Sequence, residues 1–329
     1  MAPDHGDAAS GPSARMAELL ARIARAQQGR PALHELPVDE ARRVYARGAE
    51  VLDLPKADCW VEDLRLASVR AGAADALRAR LYCPTAPSPW NPHPVLLFFH
   101  GGGFTLGSID THDSLARQLC VRSGAAVLSV DYRLAPEHRF PAAVDDAWYA
   151  LQWLTEQGGA HGLDARRIAV GGDSAGGTLA CVTAIHARDI GLPLALQLLF
   201  YPGTDAWRSL PSQRRFAHGH LLDGDLIDWF FDQYVGRGLE REDWRFAPLW
   251  HPDLRGLAPA WVGLAELDPV RDDGLAWAEA LRRAAVPAEV ALVRGVTHDF
   301  VKMGRFLPEA RATLAQAASA LRRALRVDD

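Results

Sequence analysis

Ser174 lies in the run Gly171-Gly172-Asp173-Ser174-Ala175-Gly176-Gly177. A serine flanked by glycines two residues before and two after it has the spacing of a nucleophile on a sharp strand-to-helix turn. Such a turn pushes the hydroxyl outward in a strained backbone conformation. It also crowds the flanking positions, Gly172 and Gly176, so that a side chain there would collide with its neighbours. A phosphate-binding loop would instead carry a Lys-Ser/Thr ending or G-x-G-x-x-G, and neither is present.

A serine hydroxyl is a weak nucleophile near neutrality, so it needs a base, and the base needs an acid to hold its tautomer. Of the twelve histidines, His298 falls just after the last expected strand and before the last expected helix. The stretch from Glu266 to Gly274 offers four carboxylates. Asp272 and Asp273 fall where a helix should begin, which suits caps or first-turn residues. Asp268 is nearest the apex of the loop, with Glu266 as the alternative. Ser174, Asp268 and His298 then come in the chain order that a Ser-acid-His arrangement on an α/β sheet requires. His100-Gly101-Gly102-Gly103 follows an apolar run. Consecutive glycines let backbone N–H groups approach a ligand closely. Two of these donors, with the N–H of Ala175 at the next helix start, would hold a developing oxyanion. His100 reads as a hydrogen bonder that braces this loop.

Several elements must bring these residues together. Apolar periodicity predicts helices over 14–28 and 38–52, which precede the sheet and look like a cover. Residues 61–69 and 77–83 alternate as an antiparallel edge pair about a turn at 71–73. A Pro-rich loop at 84–94 leads to a strand over 95–99, apolar on both faces. Helices over 114–122 and 142–156 flank a strand at 125–130. The elbow strand at 168–170 and its helix follow, then a strand at 194–201. Residues 204–259 interrupt the alternation and include a helical run at 225–235. A strand at 260–264, a helix at 272–285, a strand at 288–293 and a helix at 309–326 complete the chain. Regular alternation implies a mostly parallel sheet with helices on both faces. Ligands then bind beyond the carboxyl ends of the strands, where His100, Ser174, Asp268 and His298 all fall.

Composition narrows the class. The 329 residues are 49% hydrophobic and 23% charged, as in a globular protein with a large core. A net charge of -5 gives no footprint for nucleic acid. Residues 1–13 read as disordered, and with no apolar core the N-terminus is not a secretory signal. The run at 95–99 is far too short to span a bilayer. Four cysteines without C-x-x-C spacing (Cys59, Cys83, Cys120, Cys181) read as buried thiols of a reducing compartment, with the cytoplasm as the expected location.

Together, HGGGF at 100–104, YRLAPEHRFP at 132–141, GDSAGG at 172–177, DPVRDDG at 268–274 and HDF at 298–300 resemble the hormone-sensitive-lipase-like (bacterial family IV) carboxylesterases of the α/β-hydrolase superfamily. The resemblance implies an α/β-hydrolase fold, with a mostly parallel eight-stranded sheet and a helical cap. It implies N-terminal cap helices over 1–55, a catalytic domain over 56–203 and 260–329, and a cap insertion over 204–259. It implies Ser174 as nucleophile, Asp268 and His298 as its partners, and Gly102, Gly103 and Ala175 as oxyanion donors. His100, Gly101, Gly172 and Gly176 support them within the motifs. The activity implied is hydrolysis of a small-molecule ester through an acyl-enzyme, with no metal or cofactor. An amidase or deacetylase with the same triad, a long-chain lipase, and a non-catalytic ligand receptor on this fold are the competing readings. In the interruption, Leu221, Leu222, Trp229, Phe230 and Phe231 are candidates for the pocket wall, one or two of them facing substrate. Asp131, Arg133, Glu137 and Arg139 could form a buried ion network behind the glycine loop, but simple structural bracing is the preferred reading of 132–141. An exposed edge at 288–293 would offer a route to a homodimer.

Overall fold

Residues 95–99 pack on both faces of a pleat, and all five are fully buried. They belong to β3 (His93–Phe99), which starts inside the stretch expected to be loop. The computed structural model describes residues 11–67, 76–236 and 239–327. Around β3 run β1 (Trp60–Leu66), β2 (Leu77–Cys83), β4 (Ala126–Asp131), β5 (Leu163–Asp173), β6 (Gln197–Phe200), β7 (Ala260–Leu267) and β8 (Ala288–Thr297). They form one eight-stranded sheet in the order β1-β2-β4-β3-β5-β6-β7-β8. The β1/β2 and β2/β4 pairs are antiparallel and the other five are parallel. Every residue of β6 and β7 is buried. Because alternate residues point to opposite sides, both faces of the sheet centre are covered.

The helices are α1 (Ala14–Gln27), α2 (Val38–Leu52), α3 (Asp113–Ser123), α4 (Ala142–Gln157), α5 (Ala175–Asp189), α6 (Pro211–Arg215), α7 (Gly224–Tyr234), α8 (Arg271–Arg283) and α9 (Pro308–Leu325). Their ends follow local chemistry. Ser13 Oγ accepts the Met16 N–H at the start of α1, and the Asp223 carboxylate accepts the Leu226 N–H at the start of α7. Gly124 closes α3 at a φ of 72°. The helix α3 packs against α9, and α4 against α5.

Strand bounds depart from the sequence expectations where tertiary pairing decides them. The elbow strand β5 runs eleven residues, because its start pairs with His93 at the foot of β3. The strand β6 is cut to four residues, with Leu194 outside it and Pro202 ending the run beyond. The turn expected at 71–73, residues 68–69 of the first edge strand and most of the 1–13 tail lie outside the described residues.

One alternative is decided and one expectation is corrected. The charges at 131–139 form no common network. Asp131 pairs with Arg78 at 3.3 Å, Arg133 with Asp146 at 2.7 Å and Glu137 with Arg42 at 2.7 Å, each reaching a different element. Arg133, Glu137 and Arg139 are exposed, so none needs a buried counter-ion. The four cysteines are free, but Cys59 is only half-buried and touches Cys120 side chain to side chain. Among the described residues no group of three or more His, Cys, Asp or Glu could hold a metal ion. No described helix is long and apolar enough to cross a membrane.

Candidate active site

Ser174 joins β5 to α5, and its φ of 52° with ψ of -121° puts it in a region that side-chain-bearing residues rarely occupy. The turn is held because its neighbours leave no alternative. A Cβ on Gly172 would run into the backbone of Gly176, and one on Gly176 into the carbonyl of Phe99 on the adjacent strand. The Ser174 N–H donates to Phe200 O at 2.9 Å, which pins the apex to β6.

His298 follows β8, and Asp268 follows β7. His298 Nε2 lies 2.9 Å from Ser174 Oγ, and His298 Nδ1 lies 2.7 Å from Asp268 Oδ2. With its proton on Nδ1, the imidazole donates to Asp268 and accepts from the serine hydroxyl. Asp268 is fully buried, and its other oxygen accepts the Val270 N–H at 2.9 Å. Burial works against a charge on His298. The adjacent Asp268 carboxylate outweighs it, with help from Asp299 and Asp173, and leaves its pKa raised above 6.5. The alternative acid, Glu266, is turned elsewhere and accepts the Gly295 N–H at 2.7 Å.

The glycine loop passes beside the serine. Gly103 and Ala175 line the same cavity as Ser174, whereas Gly102 is outside that lining. The N–H groups of Gly102, Gly103 and Ala175 enter no hydrogen bond among the described residues. Gly102 and Gly103 have φ of 121° and 59°, which glycine adopts without strain. His100 donates or accepts nowhere near Ser174. Its Nδ1 is 2.9 Å from Gly101 O, and its ring stacks on Tyr132 at 4.3 Å.

Sequence reasoning passed over several supports. Asp173, the residue before Ser174, is fully buried and accepts the Gly101 N–H at 2.9 Å. Burial alone would raise its pKa, but His112 and Lys302 outweigh this and hold it at about 2. Tyr201 packs its ring 4.5 Å from that of His298. Asp273, expected as a first-turn residue of α8, is one, and its carboxylate does more. It accepts from Thr204 N at 3.0 Å, Asp205 N at 2.9 Å and Gln213 Nε2 at 2.7 Å, tying the 204–215 segment to α8. Only position in the chain, and nothing in residue type, could have marked these.

The cavity beside Ser174 encloses about 620 Å³ including its open mouth. Of the five wall candidates, Leu222, Phe230 and Phe231 line it, and Leu221 and Trp229 do not. Phe230 of α7 stands directly over Gly103, where any Cβ would meet its ring. Phe104 stacks on Tyr234 at 4.1 Å, so α7 is packed onto the glycine loop at two points.

A serine hydroxyl against an imidazole, a buried carboxylate on the other side of that ring, and unused N–H groups close to an apolar cavity are an arrangement that can carry acyl transfer. Comparison with known proteins agrees. Residues 96–302 match the family described as alpha/beta hydrolase fold. The chain is 40% identical to an ethyl acetate hydrolase of Pseudomonas putida over 318 residues, covering 94% of this chain and 98% of that one. It is 45% identical over 251 residues to the carboxylesterase NlhH of Mycobacterium tuberculosis, covering 75% and 78%. Among solved structures, a thermostable esterase from Pseudomonas putida superposes with a TM-score of 0.90 at 32% identity, covering 98% of this chain and all of that one. The chain therefore belongs to the α/β-hydrolase fold family, and within it to the hormone-sensitive-lipase-like carboxylesterases that its motifs resemble.

Proposed function

We propose that the protein is a serine carboxylesterase acting on short- to medium-chain esters through an acyl-enzyme, with Ser174, His298 and Asp268 as its triad. The observation that carries this reading is the continuous contact from Asp268 through His298 to Ser174 Oγ, at 2.7 and 2.9 Å. His298 Nε2 takes the serine proton as Oγ bonds to the ester carbonyl carbon. The N–H groups of Gly103 and Ala175, with Gly102 beside them, stabilise the oxyanion. The imidazolium returns the proton to the alcohol oxygen as the C–O bond breaks. Water then enters, gives a proton to His298 as it attacks the acyl carbon, and the Oγ–C bond breaks as the imidazolium returns that proton to Ser174 Oγ and the carboxylic acid leaves. No step calls for a metal or cofactor.

The short- to medium-chain reading is supported by the apolar wall beside Ser174, in which Phe230 stands against Gly103. In this reading α1, α2 and residues 204–259 act together as the cap over a catalytic domain formed by 56–203 and 260–329. The protein works in the cytoplasm. The strand β8, which pairs only with β7 among the described residues, is the surface through which two copies would join. Sedimentation showing monomer alone would end the dimer part.

An organophosphonate tests the core of the reading. Mass spectrometry should place the adduct on Ser174, and Ser174→Ala should lose both label and turnover. Label on another residue would refute the assignment. Matched ester and anilide substrates separate the esterase from an amidase, and a burst of released alcohol separates it from a ligand receptor.

A further inference from the structure

Helix α2 reaches the proposed centre from behind. Its Arg42 donates through Nε to Thr105 O, just past the glycines, and through Nη2 to Ala135 O in the 131–141 stretch, both at 2.9 Å. Farther along, Tyr45 faces Lys302, whose ammonium donates to the tyrosine hydroxyl and lies 4.5 Å from the ring centroid. At the far end, Leu52 O accepts the Arg305 N–H at 3.2 Å and Asp53 O accepts Arg305 Nε at 3.0 Å. One helix is thus fastened both to the glycine loop and to the stretch immediately after His298.

Lys302 is the hub of this arrangement. It is 5% exposed, and its Nζ lies 3.5 Å from Asp299 Oδ2 and 3.4 Å from His112 Nε2. His112 Nε2 is 3.2 Å from Asp173 Oδ2, and the other oxygen of Asp173 holds the Gly101 N–H. Both contacts fall on one nitrogen, so His112 Nε2 either accepts from Lys302 or donates to Asp173, and the path Asp299–Lys302–His112–Asp173 is a run of close buried contacts that joins the residue after His298 to the residue before Ser174 and, through Asp173, to Gly101. A buried ammonium persists only where carboxylates and acceptors surround it. Here they come from the very loops whose spacing sets the reaction geometry. Burial disfavours the charge on Lys302, but Asp299, Tyr45 and Asp173 outweigh it and raise its pKa, so the group is an ammonium throughout the working range. Nothing in this path touches the cavity, so it cannot serve as a substrate subsite.

We propose that Lys302, keyed by Tyr45 of α2, is a positioning residue that holds the glycine loop and the His298 turn at the separation acyl transfer from Ser174 requires. The proposal rests on the triad reading above. It makes α2 a support of the chemistry itself.

The test is kinetic, with p-nitrophenyl acetate as substrate and rates expressed per site titrated by a phosphonate. Tyr45→Phe removes one hydroxyl and leaves the ring and the ammonium. It should lower kcat per titrated site about tenfold with KM within about threefold, as for a small misplacement of reacting groups. Lys302→Met should lower it about a hundredfold. The same variant should move the acid limb of kcat/KM to higher pH. The groups facing His298 are Asp268, Asp299, Asp173 and the Tyr201 ring; without the neighbouring ammonium, Asp299 and Asp173 raise the histidine more strongly against the burial that lowers it. Lys302→Arg should recover part of the rate. Unchanged kcat per titrated site in Tyr45→Phe would overturn the proposal. So would a rate that falls only in step with the number of titratable sites, since that is a loss of folded protein. If Lys302→Met does not fold, Tyr45→Phe decides. A wild-type protein with no titratable site would instead refute the triad reading.

Discussion

Replacing Asp268 by asparagine changes one atom and two interactions. The native carboxylate accepts from Val270 N at 2.9 Å on one oxygen and from His298 Nδ1 at 2.7 Å on the other. Asparagine has a single acceptor oxygen. If it serves Val270, the amide NH₂ faces His298 and forces the ring proton onto Nε2, where it can no longer accept from Ser174. If it serves His298, two N–H donors face each other in a fully buried site, at a cost of about 1–3 kcal/mol. In either case the imidazolium formed during turnover loses its counter-charge. Charges about 4 Å apart at an effective dielectric of about 20 attract by about 4 kcal/mol. At 1.36 kcal/mol per decade, that is about a thousandfold in kcat. The pH profile supplies a second, independent sign. Asp268 is the main group that raises His298 above 6.5 against burial, so removing it lets burial prevail and lowers the histidine. The acid limb of kcat/KM should therefore move to lower pH while the plateau collapses. Stopped-flow release of p-nitrophenol from pH 4 to pH 9 measures both. A variant that keeps kcat within about tenfold, or whose acid limb moves upward, would refute the reasoning.

Asp273→Asn should stabilise the protein at alkaline pH. Burial pushes the Asp273 carboxyl up to about 7 from an ordinary value of 3.8. A carboxyl raised on folding contributes its stability below the unfolded value and loses it as pH rises through about 7. The cost above that pH is of the order of 4 kcal/mol. An asparagine oxygen can keep the Thr204 and Asp205 N–H bonds, and once the Gln213 amide turns over, its Oε1, which has no partner among the described residues, accepts from the new NH₂ in place of the Nε2 donor. Chemical denaturation should give equal stability near pH 4 and a growing advantage for the variant up to pH 8; a deficit at pH 8 would contradict the account. Phe230→Ala should raise kcat/KM for bulky acyl groups over acetyl by about tenfold, because it uncovers Gly103. An unchanged acyl-length series would place the size limit elsewhere in the cavity.

The parts of this protein that sequence reveals are those where residue type and spacing are themselves the constraint. Gly172 and Gly176 are legible because nothing larger fits there. The burial of 95–99 on both faces is legible because such a run has no solvent side. The order Ser174, Asp268, His298 is legible because each falls at the end of a strand. What stays hidden depends on partners distant in the chain. Tyr45 and Lys302 are 257 residues apart, and neither is unusual where it stands. Asp131, Arg133, Glu137 and Arg139 are close in sequence and share a charge pattern, yet Asp131, Arg133 and Glu137 find their counter-ions on three different elements. Cys59 and Cys120 meet only because the approach to β1 packs beside α3.

The proposed triad is drawn from strand ends far apart along the polypeptide, with Ser174 and His298 separated by 124 residues. Closing a loop that long costs entropy, and only completed long-range pairing repays it. The hydroxyl and the imidazole therefore cannot meet in a fragment or in a partly assembled sheet. During refolding, helical signal should return first and the burst of alcohol release last, so turnover itself reports when β5 through β8 have closed ranks.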